Sequence, residues 1–321
     1  MRPFGRLPFG NGGLSLATAP AASVSLAPPR PLLPLAGVAR QARVIGADPL
    51  GLAGAIILGF FVFVALAAPL LAPYNPYAYQ YLPDGSLARM QPPSASFLLG
   101  TNYFGQDVLS QLIRGSTVTL LVGLLSGLFI GVAGTTVGLV AGYFGGFVDD
   151  LLMRVVDVFM GVPTLPLAIV IVTVAGPSIE HIIFVITFLF WRTSARVVRS
   201  SVLTLREMGY LRAARVAGAS HLRILLVHLL PNVLPLTFLY VVFGAGAAVL
   251  TEANLSFLGL GDPFVVSWGQ MLYFAFSTAS IRVAWWWVLP PALCVIAFLS
   301  GLYFVGRACE EQLNPRLRRR A

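Results

Sequence analysis

The sequence predicts an all-α, polytopic membrane protein with six transmembrane helices and both termini in the cytoplasm. Three observations carry that expectation. Of 321 residues, 57% are hydrophobic and only 10% charged, against about 25% charged in ordinary soluble domains. Several apolar runs reach the ~20 residues that an α-helix needs to cross a bilayer. The arginines, finally, gather in segments that six crossings would place on one side.

The elements follow in chain order. Residues 1–46 are rich in Pro, Ala, Gly and Leu, with five arginines and no acid. They lack the compact apolar core of a secretory signal and are expected as a disordered cytoplasmic tail. A membrane domain over 47–307 holds spans near 52–71, 117–141, 155–175, 179–198, 230–250 and 284–304. The fourth has the shortest apolar core, 182–191, and needs Arg192 and Arg196 to snorkel. The positive-inside rule tests it. Six spans put 18 arginines inside and three (Arg89, Arg114, Arg282) outside; deleting the fourth leaves 7 inside and 14 outside. Residues 308–321 close the chain as a basic cytoplasmic tail.

In the second span Gly123, Gly127, Gly131, Gly134, Gly138 and Gly142 form one drifting ridge. This small-xxx-small pattern lets helix backbones approach closely in lipid. Trp285, Trp286 and Trp287 are expected as an interfacial anchor at the last span.

Composition also excludes functions. All 21 basic side chains are arginine. Without lysine there is no Walker A side chain for nucleotide phosphates and no Schiff-base amine, so the chain is not expected to hydrolyse ATP itself. Cys294 and Cys309 make no metal spacing, and His181, His221 and His228 do not cluster with acids, so no metal site is expected.

The informative segment is the loop over 199–231, and above all YLRAARVAGASHLRILLVHLLPN, Tyr210 to Asn232. Seven arginines lie between Arg192 and Arg223. Buried centrally in lipid they would cost roughly 18–25 kcal/mol, at ~2.5–3.5 each, which places the segment in water. Leu203, Met208, Leu211 and Ala214 recur at helical spacing. Gly218 suits the position that ends a helix, and Ser220 the N-cap of the next. Small residues at that turn admit close approach by another protein, with arginines offering charge-assisted contacts. Alternatively, the arginines only fix topology and bind anionic headgroups. From the residues alone the two readings stand even.

The segment resembles the EAA loop of permease subunits in binding-protein-dependent ABC importers. Ala213-Ala214, Gly218 and Leu230-Pro231 match; Arg212 stands where that family has Glu, and His228 at its Ile position. His followed by Leu-Leu-Pro-Asn is similar to the dipeptide/oligopeptide branch. The resemblance extends over 48–318 through DPLGLAG, LLGTNYFGQDVLSQLIRG, AGYFGGFVDDLLMRVVDV, SFLGLG and LNPRLR. Asn102 and Gln106 depart from it, where the family tends to have Asp and Arg.

The resemblance implies an ABC importer type I-like permease core, a non-catalytic subunit in a prokaryotic cytoplasmic (inner) membrane. A second homologous permease would complete a path for short peptides, with two ATPase subunits below and an extracytoplasmic solute-binding protein above. This chain would bind no cofactor; ATP and Mg would be used by the ATPases. Its other contacts would be membrane lipid and the cargo, with no nucleic acid. The same branch also serves nickel and other small solutes. ATPase docking is expected at Arg212, Ala213, Ala214, Arg215, Gly218, Ala219, Ser220 and Arg223, followed by His228, Leu230 and Pro231. Binding-protein contacts are expected at Gln106, Asp107, Leu258, Gly259, Gly261 and Asp262.

Two rivals compete. Gly259-Leu260-Gly261-Asp262 matches the GxGD string of intramembrane aspartyl proteases, which need a second Asp facing the first. Asp262 falls in an outer loop, however, whereas Asp149, Asp150 and Asp157 fall at the inner side. An ion-coupled secondary transporter would show ionisable groups near the midplane; Asp157, Glu180 and Glu252 are expected near span ends.

Overall fold

The structure, a computed structural model, describes residues 45–46 and 48–313. Nearly all of the expected N-terminal tail, and residues 314–321 of the C-terminal one, lie outside the described residues. Among the described residues nine main helices follow in order: α1 Pro49–Leu66, α2 Val108–Phe144, α3 Gly146–Met160, α4 Thr164–Ala175, α5 Ile179–Arg206, α6 Gly209–Val216, α7 His221–Leu260, α8 Trp268–Ser277 and α9 Trp285–Leu313. The described residues contain no β-strand beyond two isolated bridges in the loop before α2.

Local chemistry sets the boundaries. Asp48 caps α1 by accepting from the Gly51 N–H at 2.7 Å, with Pro49 in the first turn. Asp107 caps α2, accepting from the Ser110 N–H at 2.8 Å. Gly145, at φ +68°, separates α2 from α3. Pro163 lacks an N–H and disfavours helical geometry at Val162, and the chain turns there by 88° between α3 and α4. The third span is therefore not a straight rod over 155–175. Among the described residues five helices are long and apolar enough to cross a bilayer, and there are six candidate spans when the bent α3–α4 pair is counted as one.

Packing register gives the directions. On α2, Gly134 meets Ser194 and Gly142 meets Val202, so α2 and α5 run parallel. Two consecutive long helices run parallel only if the chain between them returns across the bundle, and α3–α4 supplies that return. On the same helix Gly123 meets Val249 and Gly131 meets Val241, so α7 runs antiparallel to α2. Gly51 meets Ala308 and Gly54 meets Phe304, pairing α1 and α9 antiparallel, while Gly306 meets Phe243 of α7. The start of α1, the end of α9 and the α6 hairpin thus share one end of the bundle. The loop before α2 and helix α8 occupy the other.

The glycine ridge of α2 is fully buried but serves two neighbours. Its first half faces α7, and its second half, from Gly134 on, faces α5. Four residues turn a helix by about 400°, so each four-residue step advances the ridge, which passes from one partner to the next.

Two expectations change, and the surroundings of a third residue become clear. Trp285 is exposed, but Trp286 and Trp287 are buried; the Trp286 indole N–H donates to the Thr101 carbonyl at 3.2 Å, pinning the loop before α2. Only Trp285 remains free for an interface. Glu252, expected near a span end, is buried near the end of α7 before the left-handed break at Gly259: it is 3% exposed and accepts from the Ser256 hydroxyl at 2.7 Å. Arg192 does not lie in water. Helix α5 runs unbroken to Arg206, and Arg192 is buried in the α3–α4 elbow, donating to the Leu189 carbonyl and to Thr164 Oγ1.

Candidate functional site

The hairpin α6–turn–α7 is built from local rules. Helix α6 ends at Val216. The Gly218 N–H donates to the Arg215 carbonyl and the Ala219 N–H to the Ala214 carbonyl, both at 3.0 Å. This Schellman pattern satisfies the last carbonyls and requires a left-handed residue, which Gly218 provides at φ +80°. Ser220 then caps α7, its hydroxyl accepting from the Arg223 N–H at 3.3 Å. Both assignments made from the sequence hold.

The turn is anchored on one face and open on the other. Leu211 is fully buried among Val198, Val202, Ile224, Leu229 and Val233. Tyr143, at the end of α2, bonds His221 Nδ1 through its hydroxyl at 2.8 Å, and Arg215 lies over the Tyr143 ring at 5.6 Å. Arg212 pairs with Glu207 at 2.9 Å, and Arg206 also faces Glu207. The Arg212 hydrogen bond, then the nearby positive charges, hold the Glu207 carboxyl below its ordinary value. Burial pushes the Tyr210 hydroxyl up.

The Leu-Pro-Asn ending has a structural reason. Pro231 cannot donate to the carbonyl four residues back, and the helix widens before it, with the Leu230 N–H reaching back to the Leu225 carbonyl. Asn232 Nδ2 donates to the His228 carbonyl at 2.6 Å and reaches Tyr210 Oη at 3.4 Å. The asparagine thus ties α7 to α6.

Of the expected docking residues, Arg212, Ala213, Arg215, Gly218, Ser220 and Arg223 are exposed. Ala214, Ala219, His228, Leu230 and Pro231 are half-buried. A Cβ on Gly218 would meet nothing within 4 Å, so the space beside it is open. Val216 is 92% exposed and Leu222 65%, an apolar pair flanking the turn. Sequence reasoning missed Val216, although it is the one apolar residue between the Arg215 side chain and a turn of small residues. It also missed Glu207, Tyr143 and Asn232, whose partners are distant or unremarkable in the chain.

At the opposite end, only Gln106 of the expected outer residues lines a cleft among the described residues. Gln106 and Pro263, next to Asp262, line one cleft of about 300 Å³. Gln106 is held by its neighbours: its Oε1 accepts from Asn102 and Gln111, and its amide donates to the Tyr77 carbonyl. Asp107 is 1% exposed and committed to capping α2. Gly261 is buried, whereas Leu258 and Gly259 are exposed. Asp262 accepts from the Ile179 N–H at 3.3 Å and the Phe264 N–H at 2.9 Å. Asp149 instead pairs with Arg199, with Arg199 Nη2 2.6 Å from its Oδ2. Ile179 and Arg199 are twenty residues apart on α5, about 30 Å at 1.5 Å per residue. Asp262 and Asp149 therefore cannot share a proton, and no aspartyl dyad forms between them.

A bundle of bent and straight helices fit to cross a membrane, with a capped basic hairpin at one end, defines a multi-pass membrane protein. Residues 134–319 match the family described as binding-protein-dependent transport system inner membrane component, and residues 42–93 match the N-terminal TM domain of oligopeptide transport permease C. The chain belongs to this family of transport-system permeases, whose members are non-catalytic membrane subunits. It is 34% identical over 272 residues to the dipeptide transport system permease protein DppC of Alkalihalophilus pseudofirmus, covering 84% of this chain and 87% of that protein. It is 35% identical to the di/tripeptide transport system permease protein DppC of Pseudomonas aeruginosa, over 84% and 89% of the two chains. It is 36% identical to the oligopeptide transport system permease protein OppC of Mycobacterium bovis, over 80% and 88%.

Proposed function

We propose that this chain is one permease half of an ATP-driven importer of short peptides. Both termini and α6 face the cytoplasm, a homologous second permease completes the path, and two ATPase subunits power it. The α6 turn sits in a groove of one ATPase, and the cleft at the α8 end faces an extracytoplasmic solute-binding protein. Nucleotide-driven closure of the ATPases moves the hairpin, which shifts a two-state permease pair between inward and outward opening. One observation carries this reading: the turn at Gly218 is rigidly capped and tied to α2, α5 and α7, while its outer surface, with Val216 at 92% exposure, has no partner among the described residues. The peptide-transport names of the relatives support the cargo.

The test is uptake by the whole importer, reconstituted with its binding protein and ATP. Peptide import is expected, and Gly218→Glu should insert normally yet uncouple import from ATP hydrolysis. Normal import by that variant, with unchanged ATPase activity, would remove the docking assignment. Uptake of nickel without peptide would reassign the cargo and leave the architecture standing.

A further inference from the structure

Arg192 is a charge without a counter-charge. It lies thirteen residues after Ile179 and fourteen before Arg206, so about 20 Å of helix separate it from either end of α5. It is 9% exposed. The neighbouring arginines on the same helix have acids: Arg196 pairs with Asp157 and Arg199 with Asp149. Arg192 has none among the described residues. A guanidinium carries five N–H donors. One engages the Leu189 carbonyl and one Thr164 Oγ1, which leaves three without an acceptor.

The elbow that receives it is itself short of acceptors. Helix α4 starts at Thr164 after Pro163, with no side chain capping its first N–H groups. Pro163 and Pro166 carry no N–H, so the free donors of that turn are those of Thr164 and Leu165, at the positive end of the α4 dipole; the Arg192 fork reaches the Thr164 hydroxyl beside them, where the backbone bends by 88°. Gly161, Val162, Pro163 and Leu165 around the bend are exposed, so a ligand reaches it from outside the bundle. An ionisable side chain at this depth marks a transport path by default. Arg192 lies seven residues, about 10 Å of helix, from the Arg199–Asp149 pair toward the middle of α5.

We infer that Arg192 and the uncapped start of α4 form a carboxylate subsite in the translocation path, which takes the C-terminal carboxylate of a peptide in transit. This rests on the peptide-import reading. A planar, bidentate anion satisfies the guanidinium fork better than a water or a backbone carbonyl does. A site with one cation and no acid also releases its ligand readily once the elbow moves.

The test uses the complete importer without its binding protein, with Cys294 and Cys309 replaced by Ala and a reporter Leu165→Cys at the elbow. Maleimide labelling is followed with tri-alanine or tri-alanine amide at millimolar concentration. The free acid should slow labelling at least fivefold and the amide less than twofold; Arg192→Gln should abolish the protection and Arg192→Lys retain part of it. Equal protection by acid and amide, or none by either, overturns the inference. So does protection that appears only in vesicles containing phosphatidylglycerol, which would make the site a headgroup site. Failure of the import reading shows separately, as wild-type importer with its binding protein that accumulates no tri-alanine.

Discussion

Tyr143 Oη lies 2.8 Å from His221 Nδ1, which joins the last turn of α2 to the first turn of α7 beside the Gly218 turn. Arg215 covers the same tyrosine ring. A push on the hairpin therefore reaches the long helix that packs against both α5 and α7. Tyr143→Phe keeps the ring and removes the hydroxyl. It should weaken the tie by about 1 kcal/mol and raise amide exchange over 209–223 roughly fivefold. Tyr143→Ala also removes the cation–π contact, so exchange should rise further and coupled transport fall more than with Phe. Identical exchange in Tyr143→Phe and wild type would mean that the hydroxyl holds nothing.

Gly218 separates backbone demand from partner demand. Its φ of +80° disfavours any L side chain, yet a Cβ there would touch nothing among the described residues. Asn, which tolerates the left-handed region, should cost least in thermal stability. Ala should cost about 1–2 kcal/mol through the left-handed conformation alone. Stability and coupling should then diverge: Gly218→Glu should stay near Ala in melting temperature while losing ATPase binding in pull-down. A fall in both together would make the turn purely structural.

These residues mark what the sequence made legible. Gly218 and Ser220 were readable because caps are local: a positive φ and a hydroxyl three residues before an N–H follow from residue type alone. The glycine ridge was readable as a seam, but not as a seam shared by α5 and α7, since spacing tells which face packs and not against what. The break at Pro163 was written in the sequence and hidden by the continuous apolar run around it. Arg192 was misplaced for a related reason. Counting it with the other arginines ignored that its side chain turns back onto the Leu189 carbonyl of its own helix and reaches Thr164 Oγ1 at the start of α4.

The ridge gives a stability prediction with an internal control. A Cβ on Gly138 would lie 2.6 Å from the Ala195 carbonyl oxygen and 2.8 Å from Val198 Cβ. Neither neighbour is the free end of a flexible chain. Gly138→Ala should therefore lower stability by about 1–3 kcal/mol as α2 and α5 are forced apart. Gly59, exposed on α1, has nothing within 4 Å; Gly59→Ala should be neutral or stabilising through helix propensity. Melting of the detergent-purified proteins reads both, and equal melting of the two variants would dismiss close packing of α2 on α5.

Glu207 makes a pH prediction. Its carboxyl is held below the ordinary value, first by the hydrogen bond from Arg212 and then by nearby arginine charge. A depressed folded-state value means that the contribution is present above the unfolded-state value and lost as pH falls through the folded one. The Glu207–Arg212 link should thus persist at a pH where a free glutamate has already taken up its proton. Arg212→Glu removes the leading cause and adds a like charge, so Glu207 should titrate higher. The carbon-13 shift of its carboxyl reports this directly; an unchanged titration in Arg212→Glu would show that the pair does not form in solution.

The outer segments divide into residues that hold the fold and residues free to meet a partner. Asp107 is 1% exposed and caps a 37-residue helix, accepting from both the backbone and the hydroxyl of Ser110. Asp107→Ala should cost about 1 kcal/mol, whereas Asp107→Asn keeps an oxygen acceptor and should cost less. Leu258 is 53% exposed beside Gly259, which is left-handed at φ +83°. If this end receives the binding protein, a cysteine at Leu258 should crosslink to it, while a cysteine at Asp107 should stay silent because the site is closed. Gln106 gives the intermediate case, since its amide is engaged by Asn102, Gln111 and Tyr77 but still lines the cleft. Gln106→Ala should lower affinity for the binding protein severalfold without changing the melting temperature by more than about 2 °C, a surface-sized effect. Crosslinking from Asp107 and not from Leu258 would invert this assignment and require the α2 cap to open during transport.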